Sequence, residues 1–563
     1  MHPTQSNDFL DTYRGSLFSG QWPTVPQLLE ISADRFPEGI ALTRFEPSEL
    51  RLTYRETLKA VQLLAADLVA NGAARGDHIA LSGKNSPEWA IAYLAVGYMG
   101  GVVVPIDSQL PTERIGSLLS FADARMLIAD AGILEQLSAS KLQARYSLDE
   151  GEDHYILGLA EQQVAQTSVA ESKDLAAILF TSGTTGNEKG VMLTHDNLVS
   201  DVFLSQTHMP ILSTDVFYAL LPIHHSYTMT AVFLETIAVG AELVFGTRMV
   251  ASRILADLKK GRVTMFLGVP LLFNKLLKSI MQGVRNKGVL VYGLIRSLMG
   301  ISGFLKGLFG WNVGKKIFHT ILEKASLDHI RICISGGGPL PPSTFKAYNQ
   351  LGIDFVQGYG LTETAPIITL NPKDSYRVHS VGKLVPEVDA RILEPDSKGR
   401  GEIAVKGPMV MQGYYKNEEA TRSAFDSDGY FLTGDVGRLD RDGYLYLTGR
   451  KKTLIVTEGG KNVYPEEIEH AFQLYDEVDQ VMVSGYETDD SSGGEHIQAH
   501  IHPASDWLDA QPDSSEDAVK EHMRKVVDEV NRGLQPYERI ERITILDEPL
   551  EMTTTKKIKR HKA

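Results

Sequence analysis

Apolar residues recur along the first 170 residues with two periods. From Tyr54 to Ala70 they fall at helical spacing (Leu58, Val61, Leu64, Ala65 and Leu68), and the pattern ends at Asn71-Gly72, a helix stop signal. His78–Ser82, Gly101–Pro105 and Arg125–Ala129 are short apolar runs of strand length, and Glu88–Met99 is apolar on every face, as a buried helix is. Strand, helix, strand at this rhythm predicts parallel sheets covered by helices. The last part of the chain changes pattern. Strands are expected at Tyr444–Leu447, Gln480–Ser484, Ile497–Ile501 and Arg542–Leu546, with helices over Pro465–Tyr475 and Ala518–Leu534. The expected fold class is therefore α/β. A large N-terminal domain of parallel-sheet α/β subdomains, residues 1–450, precedes a small α+β C-terminal domain, residues 451–563, with the boundary near Arg450-Lys451-Lys452.

Composition adds exclusions. The chain has 563 residues, 43% hydrophobic and 23% charged, which suits a soluble globular protein and rules out disorder as the dominant state. The single cysteine, Cys333, makes no intramolecular disulfide and no cysteine zinc cluster, and a reducing compartment fits. The net charge of -15 argues against a nucleic-acid partner. Most of that charge lies in the C-terminal fifth, where residues 452–563 hold 13 Lys and Arg against 24 Asp and Glu. Met1–Asp8 has no basic stretch leading into an apolar one, so no secretory signal is expected. Val289–Trp311 is the longest apolar segment, but Arg296 and Lys306 interrupt it, and a membrane-spanning helix is not expected.

Four motifs carry candidate chemistry. The strand Ile178–Phe180 runs into Thr181-Ser182-Gly183-Thr184-Thr185-Gly186-Asn187-Glu188-Lys189-Gly190. Glycines let backbone N–H groups wrap an anion and hydroxyls add donors, although a flexible hairpin turn has the same composition. It is not the Walker pattern, because Glu188 stands where that pattern needs Gly-Lys. Gly358-Tyr359-Gly360-Leu361-Thr362-Glu363 offers a ring to stack on a base, then a hydroxyl and a carboxylate for phosphate and Mg²⁺. A solvated turn reads the same way. Asp435 after Gly434 can accept the two hydroxyls of a ribose, and Gly449-Arg450-Lys451-Lys452 follows. Asp442-Gly443 reads as a hairpin turn. Thr553–Arg560 is a basic tail, which is commonly only solvated.

The order and spacing of these motifs resemble the acyl-adenylate-forming superfamily of acyl-CoA synthetases, peptide-synthetase adenylation domains and beetle luciferases. The likeness runs from about Thr24 to Arg560. It implies the adenylate-forming enzyme fold, in which a mobile C-terminal lid closes over ATP. It also implies roles. Thr181, Ser182, Gly183, Thr184, Thr185, Gly186 and Lys189 would form the phosphate loop, and the family often has proline where Glu188 stands. Gly337 and Gly338 of the Gly336–Pro339 turn, with Gly358, Tyr359 and Gly360, would hold adenine. Thr362 would meet the α-phosphate, and Glu363 with Thr184 would hold Mg²⁺. Asp435 and Arg450 would bind ribose, Lys452 would be the hinge, and CoA would enter past Gly460. Lys557 matches the catalytic lysine, with Lys556 where the family has glycine.

Leu221-Pro222-Ile223-His224-His225 matches the motif whose last residue lies near the acceptor carboxylate, so His225 is the candidate there; a histidine packing a strand end is the alternative. Ser226-Tyr227-Thr228-Met229 follows, without the aspartate that amino-acid-activating relatives carry. Residues 281–325 hold seven Lys and Arg and one acid, Glu323, among many large apolar residues. This reads either as a membrane-surface element or as a core helical hairpin with solvated lysines. Neutralising Arg296, Lys306, Lys315 and Lys316 separates the two. With Thr457–Glu469, this segment resembles long-chain fatty acyl-CoA synthetases. The resemblance thus implies a cytoplasmic AMP-forming ligase for long- or medium-chain fatty acids, peripheral on the inner membrane face. ATP, Mg²⁺ and CoA would be its co-substrates. Transfer to an acyl carrier protein, arrest at acyl-AMP, a silent lipid-binding relative and a homodimer stay open.

Overall fold

The computed structural model describes residues 22–137, 142–161, 163–165, 168–181, 188–473, 475–487, 494–511, 513, 515–552, 558 and 560. They fall into two compact units. The larger holds the described residues up to Gly337, Ser343–Asp389 and Lys406–Phe431; the smaller holds Gly338–Pro342, Ala390–Val405 and the described residues from Leu432.

The larger unit is built on two sheets. In one, parallel strands run in the order Asp354–Gly360, Ile332–Ser335, Met265–Gly268, Val216–Ala219, Glu242–Phe245 and Ile40–Arg44, with antiparallel strands added at both ends. In the other, Leu175–Thr181, Val102–Pro105, His78–Ser82, Met126–Ala129 and Ala144–Ser147 are parallel neighbours, and Lys189–Thr194 closes one side as an antiparallel hairpin partner. The α/β expectation holds. Local chemistry explains why the helix boundaries were readable. Helix Tyr54–Ala70 begins at Thr53, whose hydroxyl accepts from the Glu56 N–H while the Glu56 carboxylate accepts from the Thr53 N–H; it ends before Gly72, at φ 93°. Helix Pro87–Tyr98 is buried along its whole length. Its one charge, Glu88, is met by the Arg44 guanidinium at 2.6 and 2.8 Å and by the Tyr155 hydroxyl at 3.0 Å, so burial leaves no unpaired carboxylate.

The smaller unit includes a three-stranded sheet of Val478–Tyr486, His496–Pro503 and Arg542–Ile545. The first pair is antiparallel and the second parallel, and helices Pro465–Phe472 and Glu516–Arg532 share the sheet's hydrophobic core. The hairpin Phe431–Leu439/Tyr444–Arg450 turns at Gly443, φ 79°, as Asp442-Gly443 predicts. Packing groups this hairpin with the residues that follow it. The compact unit takes in this hairpin from Leu432, together with Gly338–Pro342 and Ala390–Val405; a pivot at Lys452 concerns motion, a separate matter from packing.

Two readings of residues 281–325 need correction. Val289–Phe309 is one continuous helix despite Arg296 and Lys306, long and apolar enough by length and composition to cross a membrane, and only 11% of its apolar window is buried. It is therefore not a core hairpin. Nor do all its cations face water. Lys306 Nζ donates to Asp354 Oδ1 and Asn349 Oδ1, both at 2.7 Å, and Lys315 Nζ donates to the Ile330 carbonyl at 2.7 Å. Neutralising these two lysines strikes the fold, not a surface.

Candidate functional site

Parallel strands deliver their carboxyl ends to one edge of a sheet, and the sheet's order decides which motifs meet there. Ile332–Ser335 leads into Gly336-Gly337, and its neighbour Asp354–Gly360 leads into Leu361–Thr364. Val216–Ala219, beyond Met265–Gly268 on the other side of Ile332–Ser335, leads toward His225.

Close packing fixes each turn. At Gly360 an added Cβ would lie 1.5 Å from the Pro366 carbonyl oxygen, and at Gly336 it would lie 2.9 Å from the Tyr227 ring. Only glycine fits either place. The Tyr227 hydroxyl donates to the Ile334 carbonyl at 3.1 Å, which locks residues 225–227 against the end of that strand. Gly337 follows at φ 77°. The Ser226 and Thr362 hydroxyls lie 3.1 Å apart. Thr364 holds its own turn, accepting from the Leu361 N–H at 3.1 Å. His225, Thr362, Glu363, Gly358, Tyr359 and Gly360 are all half-buried, sheltered yet reachable.

His224 and His225 have their rings 4.2 Å apart. His224 is the inward one. Burial pushes its pKa down to about 4, so it is neutral near neutrality. His225 stands at the head of the short helix Ser226–Thr228, which continues into a π-helical turn, Met229–Leu234. Such turns are rare and often accompany functional sites.

The hydroxyl–glycine loop joins two antiparallel strands, with Thr181 opposite Lys189 at its base. Ser182, Gly183, Thr184, Thr185 and Gly186 lie outside the described residues. Glu188 is tied to Arg114 at 3.0 Å. The Lys189 ammonium lies 4.5 Å from the centre of the Tyr414 ring, a cation–π distance. Tyr414 belongs to the short strand Gly413–Tyr414 added beside Lys189–Thr194, and its hydroxyl donates to Glu363 Oε1 at 2.9 Å. Burial first, and the Glu363 charge second, raise the phenol's pKa and keep the proton on Tyr414. One tyrosine thus links the base of the loop to Glu363. No spacing in the sequence pointed to it, because 51 residues separate the two side chains.

In the smaller unit, Asp435 and Arg450 face each other across the hairpin, with Arg450 Nε 3.0 Å from Asp435 Oδ1. Asp435 is buried and Arg450 is exposed. Lys452 is exposed in a single turn of 3₁₀ helix, Lys451–Thr453. Gly338 belongs to this unit too, and Gly337 to the larger. Gly460 sits at φ 65° in the turn between Ile455–Val456 and Asn462–Val463, where an added Cβ would meet nothing; backbone conformation alone asks for glycine.

Lys556 and Lys557 lie outside the described residues, but their neighbours are anchored. Ile558 forms an antiparallel bridge with Met552. The Arg560 guanidinium grips both oxygens of Glu469 at 2.6 and 2.7 Å and donates to the Val483 carbonyl at 3.0 Å. Burial pushes Glu469 up to about 7, against the pull of Arg560 and of the Val483 N–H.

Among the described residues no group of three or more His, Cys, Asp or Glu could hold a metal ion by itself. A single carboxylate is nevertheless how Mg²⁺ is usually met when phosphates supply further ligands, and Glu363 offers one whose Oε1 is already oriented by Tyr414. The residues fit such an ion.

Residues 29–415 match the family model described as AMP-binding enzyme. The long-chain-fatty-acid–CoA ligase FadD15 of Mycobacterium bovis (strain ATCC BAA-935 / AF2122/97) is 29% identical over 459 residues, 77% of this chain and 75% of that protein. The feruloyl-CoA synthase of Amycolatopsis sp. is 29% identical over 465 residues, 80% of this chain and 84% of that protein. The ATP-bound crystal structure of MatB from Rhodopseudomonas palustris matches with a TM-score of 0.76 at 27% identity, covering 95% of this chain and 97% of that one.

Proposed function

The chain belongs to the AMP-binding enzyme family, and from that premise we propose that it is an AMP-forming ligase joining a medium- or long-chain fatty acid to CoA through an acyl-adenylate. Its fold is that of the adenylate-forming enzymes. The observation that carries the reading is the meeting of His225, Ser226, Thr362 and Glu363 at the carboxyl edge of one parallel sheet, with Tyr414 tying Glu363 to the base of the hydroxyl loop.

The chemistry has two steps. A carboxylate oxygen of the acid attacks the α-phosphorus of ATP, the bond to the β-phosphate oxygen breaks, and pyrophosphate leaves. The CoA thiol then loses its proton and attacks the acyl carbonyl, and AMP leaves. Both partners in the first step are anionic, so the barrier is largely charge. Thr362 would donate to the α-phosphate, with Ser226 holding its hydroxyl in place. Glu363 would hold Mg²⁺, which supplies charge neutralisation on the phosphates. Asp435 would accept the ribose hydroxyls, oriented by Arg450. Lys557 would offset the charge on the reacting phosphate, and a pivot at Lys452 would withdraw it so that the thiol can enter past Gly460.

The acid is chosen as aliphatic because residues 281–325 and 457–469 resemble long-chain synthetases, and because no aspartate follows His225 to meet an ammonium. Relatives at similar identity carry names with aromatic acids, so the choice needs a direct test. Purified protein, ATP, Mg²⁺ and CoA are incubated with an equimolar panel from hexanoate to eicosanoate, plus ferulate, and the thioesters are read by mass spectrometry. Fatty acyl-CoA products are expected. Feruloyl-CoA alone would refute the aliphatic substrate. Acyl-AMP without thioester would move the acceptor from CoA to a carrier protein.

A further inference from the structure

Among the described residues, helix Val289–Phe309 is the large apolar surface that neither the site nor the core accounts for. Its outward stripe runs Leu290, Leu294, Ser297, Ile301, Phe304 and Leu308, spaced alternately four and three residues apart, so these side chains share one face. Leu290 is 89% exposed and Phe304 64%. The stripe spans about 27 Å at the usual rise per residue. Just past its end, Phe309 and Trp311 stack at 5.1 Å, both exposed. Contiguous apolar surface of this extent on a soluble protein marks something that covers it.

Charge says what the cover is. No acidic residue occurs between Met281 and Leu322, within a chain of net charge -15. Of the cations there, Lys306 and Lys315 are taken up inside the fold, while Arg285, Lys287, Arg296 and Lys316 are exposed. A second copy docked on the same face would bring these cations against one another with no acid on the segment to offset them. A spanning helix would have to carry Arg296 into the hydrocarbon, and the helix is packed against Pro270–Arg285 before it and Gly314–Ile317 after it in the same unit. We propose that this face lies flat on an anionic lipid bilayer, with the leucine–phenylalanine stripe among the acyl chains, Trp311 at the headgroup boundary, and Arg285, Lys287, Arg296 and Lys316 against the lipid phosphates. This surface does not depend on the activity proposed above and is tested without it.

The test is flotation of the full-length protein with vesicles of phosphatidylcholine, alone or with phosphatidylglycerol added. The protein floats with the anionic vesicles and far less with the neutral ones. A Leu294→Ser/Phe304→Ser/Leu308→Ser variant floats at least about tenfold less, with an unchanged thermal midpoint because all three side chains are exposed. Arg285→Gln, Lys287→Gln, Arg296→Gln and Lys316→Gln each lower binding to anionic vesicles by about fivefold. The proposal is overturned if the wild type does not float, if the serine variant floats as well as the wild type, or if the glutamine variants lose nothing. It is equally overturned if the wild type is a dimer that the serine substitutions dissociate while neither protein floats.

Discussion

The carboxyl edge of the large parallel sheet and the described neighbours of Lys557, Ile558 and Arg560, are held by different forces. At the edge, glycines admit contacts that a methyl group would forbid, and neighbouring strands fix the turns from both sides. Beside Lys557, among the described residues, Ile558 bridges Met552 and the Arg560 guanidinium clamps Glu469 and the Val483 carbonyl. Steric fixing of the first kind is insensitive to pH and salt. The clamp is electrostatic, and its carboxyl titrates near neutrality. The proposed chemistry, with ATP held at the edge and Lys557 withdrawn between steps, is served by such a division.

The comparison can be sharpened from the strongest effect down. Glu363→Gln keeps the shape of the edge but removes its charge, so acyl-AMP formation falls by about 10³-fold, read as pyrophosphate release, while the fold stays intact. Acid reaches the edge too, through a buried histidine. The folded His224 pKa is depressed to about 4, so its contribution to stability is complete above about 6.5 and is lost as pH falls from there toward 4. Up to about 3 kcal/mol is at stake, measurable by denaturant unfolding at several pH values. The clamp responds earlier. Glu469 takes up its proton as pH drops through about 7, so adenylation slows there, and Glu469→Ala lowers it by about thirtyfold above that pH and by progressively less below it. Thioester formation from supplied acyl-AMP is untouched in that variant; equal loss of both steps would mean that the clamp only holds the unit folded. Tyr414→Phe frees the Glu363 carboxylate and costs adenylation about tenfold, with a higher Mg²⁺ requirement as the signature of positioning. Ser226→Ala is mildest, about threefold, because Thr362 keeps its own hydroxyl.

Much of this architecture was legible from the chain. Helix Tyr54–Ala70 and strand His78–Ser82 lie where helical spacing with the Asn71-Gly72 stop and a short apolar run placed them, because these signals act within a few residues. Asp435 and Arg450 were readable as a pair and do meet. Tyr414 was not readable, since its partnership with Glu363 depends on a two-residue strand joining the edge of a sheet. Nor was the direction of Lys306 and Lys315. A cation in an apolar helix reads as solvated until a buried acid appears opposite, and Asp354 lies 48 residues from Lys306.

The central claim is that one carboxylate oxygen of a fatty acid passes through an adenylate on this chain. It is tested most directly with a fatty acid whose carboxylate carries heavy oxygen, turned over with ATP, Mg²⁺ and CoA. The account predicts one heavy oxygen atom in each AMP released and none in pyrophosphate. Heavy oxygen in the pyrophosphate, or AMP without label beside labelled thioester, would contradict it.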